Sequence, residues 1–325
     1  MQAVLWRRYG APESLTLGEA PIPEPGPGEI RIRVHATTVT SGDARLRGCQ
    51  GAGIFWLPLR LAYGLTRPRH PIPGMEFAGV VEALGAEVTG FTIGDRVFGL
   101  APRGAHAECL VMAETGCIAR QPAGLSHAEA AALPFGGLTA LVFLRDVAQI
   151  RTGEHILIHG AGGAVGVHLV QLARHFGLTV TAVASARHGL LLRSLGADVV
   201  LDRAAEDFTA GAARYDIVLD AVGGTGAQAV SRVLTPRGRH VFVNFGTRDM
   251  GLMLASRLRP GPRVLCGYAP GRQADLLTLR DLVEQGAIRP VIGHRMPLTG
   301  IIAAHALVDS GRKQGALVIE ILSGG

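Results

Sequence analysis

The segment His155-Ile-Leu-Ile-His-Gly-Ala-Gly-Gly-Ala-Val-Gly166 constrains the fold more than any other part of this chain. An apolar run too short for a helix ends in a cluster of glycines, and a helical pattern follows at once over Val165 to His175. Glycines at such a junction allow a tight turn and a close approach of backbone to a ligand. The helix N-terminus behind them offers unpaired N–H groups and a positive dipole end, which suit a pyrophosphate. Gly160, Gly162, Gly163, Ala164, Val165 and Gly166 are therefore the residues expected against a dinucleotide. Because Val165 holds the last glycine position of a G-x-G-x-x-G begun at Gly160, the spacing is G-x-x-G-x-x-G.

The rest of the middle third agrees with that reading. Strand patterns at His155 to His159, Thr179 to Ala184, Val199 to Leu201, Ile217 to Leu219 and Arg239 to Val243 are separated by helical patterns near Val165 to His175, Gly189 to Leu195 and Gln228 to Leu234. Such alternation predicts βαβ units and a doubly wound parallel sheet, an α/β Rossmann domain. Ser126, with Glu129 three residues on, predicts a capped helix ahead of it. The first third reads differently, as short strands (Ala3 to Trp6, Leu15 to Leu17, Ile30 to Ala36, Val80 to Leu84, Arg96 to Phe98) broken by turns such as Pro21-Ile-Pro-Glu-Pro-Gly-Pro-Gly28. After Arg263 come one more strand, a helix near Asp275 to Gln285, and short segments at Arg295 to Leu298 and Leu317 to Ile321 that return to the first lobe. The expected division is residues 1–121, 122–265 and 266–325.

The end of the second parallel strand selects the nucleotide. An acid about 20 residues past the glycine turn holds the ribose 2′-OH of NAD in domains of this kind, yet no acid lies between Glu154 and Asp198. Ser185-Ala-Arg-His188 stands there instead and predicts a 2′-phosphate, hence NADPH. Arg187 is the main contact because its planar donors match a phosphate, with Ser185 and His188 assisting.

Composition excludes several other classes. The net charge of +6 rests almost wholly on arginine, Lys313 being the only lysine, and no aromatic-interleaved basic run accompanies it, so nucleic acid is not an expected partner. Cys49, Cys109, Cys117 and Cys266 form no C-x-x-C pair, which argues against a zinc ribbon or redox dithiol and for free thiols in a reducing cytosol. No apolar run follows Arg7 and Arg8 as in a secretory signal. The uncharged stretch Ala130 to Leu144 falls short of a membrane span and is expected as buried protein.

These motifs, with Gly74-Met-Glu-Phe-Ala-Gly-Val-Val81, Pro134-Phe-Gly-Gly-Leu-Thr-Ala140, Leu195-Gly-Ala-Asp198 and Tyr215-Asp-Ile-Val-Leu-Asp-Ala-Val-Gly223, make the chain resemble the medium-chain dehydrogenases/reductases over nearly its whole length. The resemblance implies a GroES-like β-rich catalytic domain, a Rossmann domain, a cofactor cleft between them and a homodimer joined through the strand at Arg263 to Gly267. It adds Thr139, Val222, Phe245 and Gly246 to the expected cofactor contacts. Thr40 and Met75 stand where zinc-dependent members have a cysteine and a histidine, and Gly99 to Thr115 carries only Cys109 where those members have four cysteines. No metal site is expected. The zinc-free quinone oxidoreductases look closest, matching at Val39, Asp43 and Arg47, although Arg45 replaces their tyrosine.

That branch implies NADPH-dependent hydride transfer to a quinone or similar small hydrophobic acceptor. Reduction of an enone or alkenal double bond is one alternative, and a non-catalytic NADPH-binding sensor or structural protein is another. Thr40, Tyr63 and Thr139 are the candidate catalytic hydroxyls, and Glu76 is expected as a buried acid tied to backbone or arginine. The stretch Cys49 to Pro68, with Ile54, Phe55, Trp56, Leu57, Leu61 and Leu65 and no acid from Asp43 to Glu76, reads either as an apolar lid rimmed by arginine or as an extra packed helix.

Overall fold

The computed structural model describes residues 1–49 and 56–321, so Ile54 and Phe55 lie outside the described residues. The chain divides into two compact units: Met1–Phe135 with Gly271–Gln285 and Arg289–Gly325, and Gly136–Pro270 with Gly286–Ile288. The sequence boundary at 121/122 therefore falls early, because the helix capped by Ser126 packs on the strands before it and belongs to the first unit.

The first unit opens with the antiparallel pair β1 (Gln2–Trp6) and β2 (Leu15–Glu19). β3 (Glu29–Thr38) follows, then α1 (Ser41–Gly48), α2 (Trp56–Tyr63), β4 (Glu76–Leu84), β5 (Arg96–Leu100), β6 (Cys109–Ala113), β7 (Ile118–Arg120) and α3 (His127–Ala131). Its core takes the inward residues of alternating strands, among them Ile30, Ile32, Val34, Phe77, Val81 and Val97.

The second unit holds α4 (Pro134–Val142), which begins two residues before the boundary, then β8 (His155–His159), α5 (Ala164–His175), β9 (Thr179–Ala184), α6 (Gly189–Ser194), β10 (Val199–Asp202), β11 (Tyr215–Asp220), α7 (Ala227–Ser231), β12 (Leu234–Phe242), α8 (Thr247–Arg257) and β13 (Arg263–Cys266). The sheet is six-stranded and parallel, in the order β10-β9-β8-β11-β12-β13. Strand order reverses between β8 and β11, and ligands of open α/β sheets bind in the crevice outside the carboxyl ends at such a point. The helix expected over Gln228 to Leu234 is shorter, since Val233 and Leu234 pack into the core beneath it and β12 starts there.

α9 (Gln273–Glu284), β14 (Ile292–Pro297), α10 (Ile301–Asp309) and β15 (Ala316–Glu320) return the chain to the first unit. β15 pairs antiparallel with β3, Val318 opposite Thr38, in a seven-stranded sheet ordered β14-β15-β3-β4-β5-β7 with β6 on β3. The apolar mid-chain stretch forms part of a helical run of 21 residues, His127–Val147, longer than expected and long enough to cross a membrane, but 72% of its apolar 18-residue stretch is buried inside the fold. That burial marks it as a core element.

Candidate functional site

In the second unit the glycine turn is dictated by sterics. Gly160 has φ +82°, a conformation side chains resist, and a Cβ there would meet Val222 at 2.3 Å. A Cβ on Gly162 would lie 2.1 Å from His188 Nδ1, and one on Gly166 would lie 2.3 Å from the Gly160 carbonyl oxygen. Gly163 differs: its Cβ would have nothing nearer than 3.5 Å, and it caps α5 with no side chain. No side chain caps the N-terminus of α5, so no side-chain acceptor takes up its first-turn amides, as an anion site at a helix N-terminus requires.

The end of β9 assembles a cationic corner. Ser185 opens a 3₁₀ turn, exposed Arg187 donates through Nε to His188 Nε2 at 3.1 Å, and buried His188 packs against the glycine turn. Burial lowers the His188 pKa, and the charges of Arg187 and Arg203 lower it further, so the imidazole is neutral at pH 7. Arg203 was missed from sequence. Parallel register puts Asp202 beside Ala184, so Arg203 emerges next to Ser185, its N–H donating to the Ala184 carbonyl at 2.9 Å. Arg203 lines a crevice of about 400 Å³ with His159, Val183, Glu206 and Asp207. The acid-free window was thus too narrow, since two carboxylates reach this crevice from beyond it. Both serve their own turn, however: Glu206 accepts the Asp202 N–H, and Asp207 accepts the N–H and hydroxyl of Thr209.

Asp220, at the end of β11, is fully buried. Burial alone would raise its pKa, but donors from His159, Thr225 and Gly223 outweigh it and hold the carboxyl well below the usual range. It braces the turn that carries exposed Val222. Gly246 spends its N–H on Asp249 as the cap of α8, Phe245 just before it is half-buried, and Thr139 lies buried on α4.

In the first unit Thr40 is the cap of α1. Its hydroxyl donates to Asp43 Oδ2 at 2.6 Å and accepts the Asp43 N–H at 3.1 Å, a complete capping box. That hydroxyl is committed to structure. Glu76 is buried and accepts from the Thr38 hydroxyl and, at 2.6 Å, from the Phe135 N–H, so the backbone tie expected for it is present and no arginine ion pair to it is seen among the described residues. Burial is the main cause that pushes its pKa up to about 7; Asp43 adds to this, and Thr38, Phe135 and Lys313 oppose it. The Lys313 ammonium, 3.5 Å from the Val39 carbonyl, is pulled down by burial and up by Glu76 and Asp43. The only lysine thus sits in the acidic corner of this unit, which its sequence position did not suggest.

Tyr63 lines a cavity of about 210 Å³ with Trp6, Asp43, Arg47, Met75 and Arg103. Of the two catalytic hydroxyls expected in this unit, Tyr63 reaches a ligand-sized space and Thr40 does not line it. Trp56, Leu57 and Leu61 on α2, and Leu65 just beyond it, are about half exposed, so these residues face solvent rather than packing away. Zinc does not fit here: the Thr40 oxygen is bound to Asp43, Met75 offers a thioether, and no group of three His, Cys, Asp or Glu among the described residues could hold a metal ion.

Residues 26–152 match the alcohol dehydrogenase GroES-like domain, and residues 195–319 match a zinc-binding dehydrogenase domain. A quinone oxidoreductase of Pseudomonas aeruginosa is 32% identical over 331 residues, covering 96% of this chain and 97% of that protein. The spectinabilin polyketide synthase protein NorB of Streptomyces orinoci is 35% identical over 93% of this chain, which spans only 14% of that synthase. Among solved structures, the quinone oxidoreductase of Coxiella burnetii has a TM-score of 0.87 at 30% identity over 99% of each chain. A mycobacterial protein solved with NADPH has a TM-score of 0.83 at 27% identity, over 99% of this chain and 100% of that one. The chain is thus a member of the medium-chain dehydrogenase/reductase superfamily, an oxidoreductase of its quinone oxidoreductase-like branch.

Proposed function

We propose that the protein is a zinc-independent, NADPH-dependent reductase of quinones or similarly flat, hydrophobic conjugated carbonyl compounds. The observation that carries this reading is the cationic pair Arg187 and Arg203, with neutral His188 accepting from Arg187, beside the N-terminus of α5 that no side chain caps, a pairing of sites suited to a 2′-phosphate and a pyrophosphate. The likeness to a structure solved with NADPH supports the cofactor, and the similarity to quinone oxidoreductases supports the acceptor.

Bound there, the nicotinamide would supply a hydride, which with one proton reduces a quinone by two electrons to the hydroquinone. The protein's own tasks are to hold the acceptor dry and to manage the charge that develops on its oxygen. The cavity lined by Trp6, Tyr63 and Met75 offers flat apolar walls, the Tyr63 phenol is the donor placed there, and Arg103 adds positive charge. Asp43, on the wall of the same cavity, accepts from the Thr40 N–H and hydroxyl as part of the frame.

Reduction of an enone double bond is the second reading. It is favoured by the similarity to multidomain polyketide synthases and by a cavity that does not discriminate a ring from an extended enone. Turnover of NADPH and NADH against quinones, enones and aldehydes after treatment with a chelator separates the readings. Quinone turnover with NADPH that survives the chelator supports the proposal; dependence on added zinc or absence of any turnover refutes it.

A further inference from the structure

Beyond the cavity of Tyr63 the first unit holds a second hollow, of about 310 Å³, walled by Leu5, Ala20, Pro21, Pro23 and Val111. The sequence accounts for it. The proline-rich turn after β2 cannot pair as a sheet strand and passes outside β6, and along β6 Leu110 and Met112 turn into the core while Val111 stays half-exposed on the outer side. The hollow is mainly apolar; its polar groups are His70 and Arg103, the Met1 ammonium, which donates to the Ala20 carbonyl at 2.9 Å, and the thiol of Cys109, turned to Glu82 at 3.3 Å.

His70, Ile72 and Arg103 line both this hollow and the Tyr63 cavity. The main chain of this partition is fixed, since the Trp6 N–H donates to the Pro71 carbonyl at 2.6 Å, the His106 N–H to that of Pro73 at 3.0 Å and the Ala105 N–H to that of Gly74 at 3.1 Å. Prolines at 71 and 73 stiffen it further. Its side chains are freer: His70 and Arg103 are both exposed and form the rim between the two spaces.

We infer that the two hollows form one elongated acceptor site, in which the Tyr63 cavity takes the reducible head group and the outer hollow takes an aliphatic or isoprenoid tail that crosses beneath His70 and Arg103. The inference rests on the reading of the Tyr63 cavity as the acceptor site. A tail suits the outer hollow because most of its walls are hydrocarbon, from Leu5, Pro21, Pro23 and Val111, and the polar rim of His70 and Arg103 lies where the polar head would join the tail. The substrate class is then a quinone or enone bearing a long apolar chain.

The test uses quinones that share one ring and differ only in an alkyl tail. For the wild type, kcat/KM should rise by about tenfold or more as several methylenes are added. Val111→Trp fills the hollow from β6 and Ala20→Trp fills it from the segment after β2, each at a half-buried position. Both should abolish the gain from the tail while kcat/KM for the tail-less quinone stays within about twofold, which also reports an intact fold. A wild type blind to tail length, or a gain that persists in both variants, overturns the inference and leaves the reductase reading intact. Absence of turnover with every acceptor sinks that reading and the inference with it.

Discussion

Replacing Glu76 with Gln should make the protein more stable at neutral pH, and by an amount the site itself sets. The carboxyl is buried, and burial is the largest of the causes that raise its pKa from an ordinary 4.5 to about 7. A raised acid pKa means that the folded state favours the protonated form. Its contribution to stability is therefore full below pH 4.5, declines between 4.5 and 7, and is absent above. At about 1.4 kcal/mol per pH unit the loss approaches about 3 kcal/mol. Glutamine keeps the geometry without the titration: its carbonyl can accept the Phe135 N–H, and its amide can donate to the Thr38 hydroxyl. The advantage of Glu76→Gln over wild type should thus grow by about 3 kcal/mol between pH 4.5 and 8. Two histidines act in the opposite direction, since half-buried His127 and buried His240 are pushed down to about 4, mainly by desolvation, and contribute stability that grows as pH rises towards 6.5. They are common to both proteins and cancel in the difference. Both tryptophans, Trp6 and Trp56, lie in the first unit, so urea unfolding followed by tryptophan fluorescence reports the unit that holds Glu76. A difference that stays flat with pH, or that favours the wild type more at pH 8 than at pH 4.5, would refute the reasoning.

Four further outcomes are expected. Arg187→Ala and Arg203→Ala should each weaken NADPH by about tenfold to a hundredfold, the loss of a charge-assisted hydrogen bond of about 1.5–3 kcal/mol, and leave NADH nearly unchanged; fluorescence titration of both cofactors checks this. Gly163→Ala should unfold at nearly the wild-type temperature yet lose cofactor affinity, because its Cβ meets no protein atom within 3.4 Å, whereas Gly166→Ala should lower the melting temperature, because its Cβ would collide with the Gly160 carbonyl. Elemental analysis should find no stoichiometric zinc, and one tightly held zinc per chain would contradict the side chains at 40 and 75. Light scattering should show a homodimer, because β13 is an edge strand flanked by exposed Leu258 and Tyr268, and a monomer at micromolar concentration would count against it.

What could be read from the sequence, and what could not, divides along physical lines. The glycine turn was legible because the backbone there leaves no choice of residue at 160, 162 and 166, and the helix that follows is announced by its own period. The purpose of Gly162 was not legible: it makes room for His188, which arrives from β9. Arg203 escaped notice because its place beside Ser185 depends on the register of β10 on β9. Thr40-Ser-Gly-Asp43 is also a capping signature, a local role that the sequence reading passed over and the structure shows. β6, β7, α8 and α10 were not foreseen, the first two being short strands whose pairing on β3 and β5 is decided by distant residues.

The same division explains why the glycine turn of the second unit and the Tyr63 cavity of the first differ in how firmly residues dictate them. A phosphate is met by main-chain amides at a helix N-terminus, so what such a turn requires is a backbone path, and a few glycines in order are enough to specify it. The Tyr63 cavity is built from side chains on segments that no local pattern positions. Tyr63 sits where it does because α2 is tied down at its ends and flank: the Tyr9 hydroxyl donates to the Gly64 carbonyl at 2.8 Å, Arg60 stacks 4.0 Å over the Tyr9 ring, and the Arg69 N–H donates to the Tyr63 carbonyl at 2.8 Å. Two of these three ties run to Tyr9, more than fifty positions away in the loop that follows β1. A substitution at Tyr9 would therefore move the candidate proton donor without touching it, and no inspection of residues 56 to 70 alone would show why.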